Sequence, residues 1–369
     1  MEQLYAVGVS CILFIQYWFA ESVRYFELVN TLSNPHHVIE TLFPVMCTID
    51  SVFAAQLLLC LSVGGWLNSI MKWWLLEDRP YWWVRETSFY PNNRRPQLRQ
   101  FHQTCETGPG CPSGHTATTA MLLMLAIMWI SHVMNDRKVH IWWWKYLIFP
   151  LFAVILGSVV LARMFVASHF PHQCLLGALV VIISNYYQFL INISQDLSCG
   201  FAKHVRNLWR YVAVQTFSMS RHYYNINNIL RSSYCLCLTE HALFTATSLI
   251  LRKAFRWCES PEDIHVSTTP VYALVESTAH IFGWAMSVTP AVAEYRHYTK
   301  NRSVILAIFT SAIIASAFKL FQDNICKANA LWFYAVQFLL GACKCMLLLR
   351  VVPAVAVWPY PRPIKDKTE

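Results

Sequence analysis

Three short fragments of this chain carry residues able to act on a phosphate. The first pairs Lys72 with Arg79-Pro80, the second reads Pro112-Ser113-Gly114-His115, and the third pairs Arg163 with His169. Each sets strong cations or an imidazole beside a local backbone break, at the edge of a long apolar segment. Such groups are rare beside membrane segments unless they bind something. Two arginines, a lysine, two histidines and a Gly/Pro loop opening a helix suit a dianionic phosphate. The chemistry they fit is phosphate-ester hydrolysis at a membrane face.

Each fragment has a functional and a plainer structural meaning. Lys72 and Arg79 are seven residues apart, close to two helical turns, so both can face one side. Pro80 pushes Arg79 out of helical geometry. The same two cations beside Trp73, Trp74, Trp82 and Trp83 would also serve as interfacial anchors outside the packed core. The loop Thr107-Gly108-Pro109-Gly110-Cys111-Pro112 resists helix, and Ser113 can cap the helix that follows. The free N–H groups and dipole of that helix end form an anion site. Gly114 lets the backbone approach a phosphate, and His115 stands at the rim as a proton donor. A plain capped turn with one solvated histidine has the same sequence. Arg163 offers a forked cation for phosphate oxygens, and Pro171 suits the first turn of the next helix. His169, beside that start, can act as a nucleophile on bound phosphate; taken singly, the third fragment would pass for a turn with interfacial His and Arg.

The elements that must hold these fragments are membrane helices. Of 369 residues, 56% are hydrophobic and 13% charged, with mean hydropathy +0.37. Soluble domains carry about 25% charged residues. The net charge of +9 is scattered over short loops, which fits orientation signalling and not nucleic-acid binding. The fold class is therefore an all-α polytopic bundle. A helix needs about 20 apolar residues to cross a bilayer. Spans are predicted near 26–50, 55–76, 115–134, 141–162, 172–192, 271–289, 303–321 and 330–352, with another within 205–255, nine in all. Glu40 and Asp50 interrupt the first. With nine, the basic gaps at 136–138, 203–210 and 296–302 and the basic tail share the cytosolic side, while all three fragments face the opposite side.

The whole chain reads as one membrane-embedded domain, with a catalytic core at about 55–192, further spans over 205–352 and a tail at 359–369. A cleaved signal peptide is not expected, and Tyr5 to Asn30 suits an amphipathic helix lying on the membrane. Of thirteen cysteines, Cys60, Cys174, Cys343 and Cys345 read as small buried hydrophobes. Cys105 and Cys111 flank the phosphate loop, and their pairing is left open. Asn192 and Asn301 match the glycosylation pattern but fall on the cytosolic side or at a membrane face, so neither is expected to be used. Lys145, Glu276, Lys319 and Lys344 lie within or near spans, where pairing or snorkelling would account for them. No C-x-x-C pair suggests a metal.

Taken together, Lys-x6-Arg-Pro, Pro-Ser-Gly-His and Arg-x5-His resemble the membrane phosphatase superfamily of lipid phosphatases and vanadium haloperoxidases. Arg79-Pro80-Tyr81-Trp82-Trp83-Val84, Cys105-Glu106-Thr107-Gly108-Pro109-Gly110, His169-Phe170-Pro171-His172-Gln173, Trp257-Cys258-Glu259 and Thr268-Thr269-Pro270 are similar to the glucose-6-phosphatase catalytic subunit family. The likeness covers about 40–200, resumes at 255–290 and continues more loosely to the tail. Ala162 stands where the superfamily usually has Ser. Gln173 stands where the superfamily has Asp, and glucose-6-phosphatases share that Gln.

The resemblance implies hydrolysis of glucose 6-phosphate in the endoplasmic reticulum lumen, as in gluconeogenesis and glycogen breakdown. It implies His169 as nucleophile through a phosphohistidine and His115 as acid and then base. Lys72, Arg79, Arg163, Ser113 and Gly114 would hold the phosphate, with no metal and no cofactor. It also implies coupling to a glucose 6-phosphate transporter. Lys365 and Lys367 resemble a dilysine retrieval signal, which would put the C-terminus in the cytosol. A lipid phosphatase would use the same residues but would more often show about six spans and Asp at 173. A catalytically weak homologue is a further alternative. A transporter or channel would expect charges near mid-membrane, whereas these cations cluster at one face.

Overall fold

The structure is a computed structural model that describes residues 1–136, 142–180, 252–264, 268–287, 303–325 and 330–358. Among these the regular structure is helical, with no strand. Five helical stretches among the described residues are long and apolar enough to cross a membrane: Ser51–Glu86, which breaks after Leu75, Gly114–Ser131, Tyr146–Phe165, Val304–Asp323 and Trp332–Val357. The stretch expected near 271–289 is a helix, Pro270–Ser287, and 171–180 begins another. Most of 205–255, both glycosylation patterns and the dilysine tail lie outside the described residues.

The span expected at 26–50 is not one helix. It is divided into Val23–Leu32, Pro35–His37, a wide turn at Val38–Leu42, and Phe43–Ile49. Asp50 ends the series in extended conformation. Its Oδ1 accepts from the N–H groups of Val52 and Phe53, both at 3.0 Å, so the interrupting acid caps the next helix.

The described chain divides into two compact units. The first comprises Met1–Pro35, Gly64–Ser194 and His204–Leu274, and holds all three chemical fragments. Its core joins Tyr5, Val9, Ile12 and Ile15 of the first helix to Phe165, Val166, Ala167 and Phe170. Gly8 permits that approach, because a Cβ there would stand 2.6 Å from Phe170. Gln16 fixes the register by donating to the carbonyls of Phe165 (2.7 Å) and Arg99 (2.9 Å). The amphipathic segment predicted to lie on the membrane is thus two helices, Glu2–Trp18 and Val23–Leu32, whose inner faces pack on protein. The outer face of the first helix still presents Leu4, Val7, Phe14, Tyr17 and Trp18.

The second unit comprises His36–Val63, Gln195–Lys203 and Val275–Glu369. There Val304–Asp323 packs on Ala330–Val357 and on Phe43–Ile49, and Ser311 donates to the carbonyl of Pro44 at 2.9 Å. Gly283 lies so close to the facing helix that a Cβ would meet Ala342 O at 2.5 Å, the close approach that small residues allow between membrane helices. Glu276 pairs with His36 at 2.8 Å, which accounts for one of the intramembrane charges. Cys60 and Cys345 are buried as expected, but Cys343 is exposed.

Candidate active site

Sequence chemistry and backbone breaks converge in the first unit. The Ser51–Leu75 helix carries Lys72 in its last turn and stops before Arg79. Leu76 adopts φ 49°, a left-handed conformation that a non-glycine residue rarely takes. A turn, not a continuous helix, therefore brings Lys72 and Arg79 together. Arg79 is extended at ψ 156°, with Pro80 opening the short helix Pro80–Glu86.

Neither Arg79 nor Arg163 is an interfacial anchor outside the core, because both are fully buried. Arg79 Nε donates to Gly108 O (2.6 Å), Nη1 to Ser168 O (3.1 Å) and Nη2 to Pro109 O (3.2 Å). Lys72 Nζ also donates to Pro109 O, at 2.8 Å. Arg163 Nη1 donates to Asn30 Oδ1 at 3.0 Å. Arg163 Nε is buried with no hydrogen-bond partner among the described residues.

His169 sits two residues before the helix that starts at Pro171. Gln173 reaches back from the first turn of that helix to accept the Phe170 N–H at 3.1 Å, half of a capping box. Its amide also donates to Glu77 Oε2 and to Asp78 O, both at 3.0 Å. This ties His169 to the Arg79 turn. Gly110 is required at this junction, since a Cβ would lie 2.7 Å from the Gln173 amide and 2.8 Å from Asp78 O. His169 Nδ1 lies 2.7 Å from Gly110 O. A carbonyl can only accept, so Nδ1 carries the proton and Nε2 keeps its lone pair. Nε2 lies 3.5 Å from Arg79 Nη1. Burial and then the positive fields of Arg79 and Arg163 hold the imidazole well below its usual range, so it is neutral at pH 7.

Ser113 and Gly114 lie where the sequence places a helix start, the helix being Gly114–Asp136. Ser113 O accepts from Ala117 N at 3.0 Å, the first helical bond, while its own N–H goes to Gln173 O at 3.1 Å. The N–H groups available at this end therefore begin at Gly114. The Gly114 Cα faces Asn68, whose Oδ1 would lie 3.6 Å from an added Cβ.

Glu106 is the site residue that sequence reasoning missed. Its carboxylate pairs with Arg79 Nη2 at 2.9 Å and with Arg163 Nη2. One oxygen lies 3.9 Å from His115 Nδ1 and the other 3.9 Å from His169 Nε2. Burial alone would raise this carboxyl, but Arg163 and Arg79 overcome that and hold it well below the usual range. One signal was available: two cation motifs about to be buried need a counter-charge, and the loop 87–113 before the Gly114–Asp136 helix has one carboxylate, at position 106. Asn30 was also missed, and no local pattern marks it.

The loop bearing Glu106 is bound to the later segment. Cys105 forms a disulfide with Cys258, and Cys111 is a free thiol, which resolves the open pairing. Thr107 N–H donates to Thr268 Oγ1 at 3.1 Å, and Gly108 packs against Pro270. Lys253 bridges Asp78 (2.7 Å) and Glu86 (2.9 Å). The crosslink spans 153 residues of sequence, and losing such a bond costs about 2–5 kcal/mol. Cys258→Ser should therefore lower the midpoint of thermal inactivation in detergent. An unchanged midpoint would show that Thr107 and Gly108 hold the loop without it.

Comparison with known proteins bears on this geometry. The PAP2 superfamily matches residues 53–194, the stretch that contains all three fragments. The rat glucose-6-phosphatase catalytic subunit 1 is 30% identical over 82% of this chain and 79% of its own length. The human glucose-6-phosphatase 2 is 30% identical over 78% of this chain and 77% of its own. This chain belongs to the glucose-6-phosphatase family. It is a membrane protein and a phosphoric monoester hydrolase, as that family and its apolar helices require. The dog glucose-6-phosphatase catalytic subunit 1 extends the likeness to 99% of the chain at 28% identity. No solved structure matches significantly. Outside the matched stretch 53–194, Cys258 and Thr268 hold the loop that carries Glu106.

Proposed function

We propose that this phosphatase hydrolyses glucose 6-phosphate to glucose and phosphate through a phosphohistidine on His169. The observation that carries this reading is the His169 Nδ1 contact with Gly110 O, 2.7 Å, which leaves Nε2 unprotonated beside Arg79. Nε2 attacks phosphorus, the bond from phosphorus to the sugar oxygen breaks, and His115 protonates that oxygen. His115 then takes a proton from water. The water oxygen attacks the phosphohistidine, the P–N bond breaks, and phosphate leaves. Lys72, Arg79, Arg163 and the Ser113/Gly114 turn bind the phosphoryl oxygens and offset their charge in the transition state. These roles need no metal and no cofactor.

The sugar substrate is supported by relatives named glucose-6-phosphatase over nearly the whole chain and by Gln173. We place the enzyme in the endoplasmic reticulum membrane with a lumenal site and a cytosolic C-terminus, on the loop charges and the Lys365/Lys367 tail. Functional coupling to a glucose 6-phosphate transporter follows from that placement. The test is phosphate release from sugar and lipid phosphates by microsomes carrying the protein, sealed or permeabilised. Glucose 6-phosphate should give the highest kcat/KM after permeabilisation. A preference for phosphatidate would overturn the substrate. Hydrolysis of added glucose 6-phosphate by sealed microsomes lacking a transporter would overturn the lumenal placement.

A further inference from the structure

The Glu106 carboxylate is placed like a phosphate. It bonds both buried arginines and lies 3.9 Å from each catalytic histidine. From this geometry we infer that Glu106 occupies the phosphoryl seat as a built-in surrogate anion, which substrate phosphate displaces on binding and which reclaims the seat as phosphate leaves. The inference rests on the proposed phosphate site and adds a competitor to it.

Donor accounting supports displacement. A guanidinium has five N–H groups. Those of Arg79 already face Gly108 O, Ser168 O, Pro109 O, Glu106 and the His169 ring. Three of these partners are main-chain carbonyls of the loops that build the site, and the ring is the nucleophile. Only the Glu106 side chain can leave without dismantling those loops. On the other guanidinium, Nη2 holds Glu106 and Nε has no partner among the described residues, so departure of the carboxylate would open two adjacent donors, a fork suited to phosphate. Like charges also forbid sharing: a phosphate dianion within hydrogen-bond reach of the same guanidinium groups would meet the carboxylate at contact distance in a poorly solvated site.

The side chain has both freedom and an anchor. It is 16% exposed, whereas Arg79 and Arg163 are nearly or fully enclosed. Its main chain is held by the Cys105–Cys258 disulfide, by Tyr81 donating to Glu106 O at 3.1 Å, and by the Thr107–Thr268 bond. Movement therefore falls to the side-chain torsions, which return the carboxylate to one place.

An occupied seat lowers apparent phosphate affinity by the fraction of time the seat is open. The test is binding of inorganic phosphate to the full-length protein in detergent, with Glu106→Asp as the deciding variant. Aspartate keeps the charge and loses one methylene, so it cannot reach both arginines. Phosphate should bind Glu106→Asp roughly tenfold or more tightly than wild type. Affinity equal to or weaker than wild type would overturn the surrogate role, because a field effect alone is the same for either acid. Where it folds, Glu106→Gln should bind at least as tightly as Glu106→Asp; weaker binding than wild type would make Glu106 a support for the arginines and overturn the inference. Absence of phosphate binding in wild type and both variants would remove the phosphate site itself, a different failure from an unchanged affinity.

Discussion

His169→Ala should abolish turnover and the phosphoenzyme together. Brief exposure to labelled substrate and rapid quenching should trap an acid-labile, alkali-stable label on the wild type, the behaviour of phosphohistidine. The label depends on Nε2, which the Gly110 carbonyl leaves free by holding the proton on Nδ1. His115→Ala should separate from it by leaving group. A sugar oxygen needs a proton to depart, so turnover of the sugar phosphate should be lost. An ester with a leaving group stable as an anion should lose less, because general-acid help then contributes little. If His169→Ala still formed phosphoenzyme while His115→Ala lost both substrates equally, the two roles would be reversed.

The arginines should show a comparably large effect. Because Arg79 and Arg163 are buried and bonded to the loop that carries Gly108 and Glu106, truncation to alanine would mix catalysis with folding. Lysine keeps the charge and loses the fork. Arg163→Lys should lower kcat/KM at least about a hundredfold, near 3 kcal/mol in the barrier, as for loss of a donor aimed at transition-state charge. The protein should still carry the Cys105–Cys258 disulfide on a non-reducing gel. Near-normal turnover in Arg163→Lys would show that its charge matters and its geometry does not.

Much of this site was legible because phosphate chemistry uses few residue types and needs them beside backbone breaks. Lys72, Arg79, His115, Arg163 and His169 stand out for that reason, and the structure places them around one loop. Glu106 lies within the Cys105–Gly110 string with no pattern to give it a role, because phosphate chemistry marks the groups that bind the ligand and not the charge that stands in for it. Asn30 and Gln16 were invisible, since each acts across more than eighty residues of sequence. The helical class followed from composition. The broken segment before Asp50 did not, because its apolar count suits a span while Asp50 caps the next helix and the backbone widens at Val38–Leu42. The first helix was legible from its apolar residues, but its packing on Phe170 was not, because apolar periodicity does not distinguish lipid from protein.

That first helix also imposes an order in time. Tyr5 stacks on Phe170 at 4.8 Å, and Gly8 exists to let Phe170 approach. The ribosome makes Phe170 about 165 residues after Tyr5, which at roughly 5–20 residues per second is a wait of about ten to thirty seconds. Cys105 waits nearly as long for Cys258. The first helix thus has the face that Phe170 covers open until Phe170 is made, and the cysteine that pins the phosphate loop arrives later still.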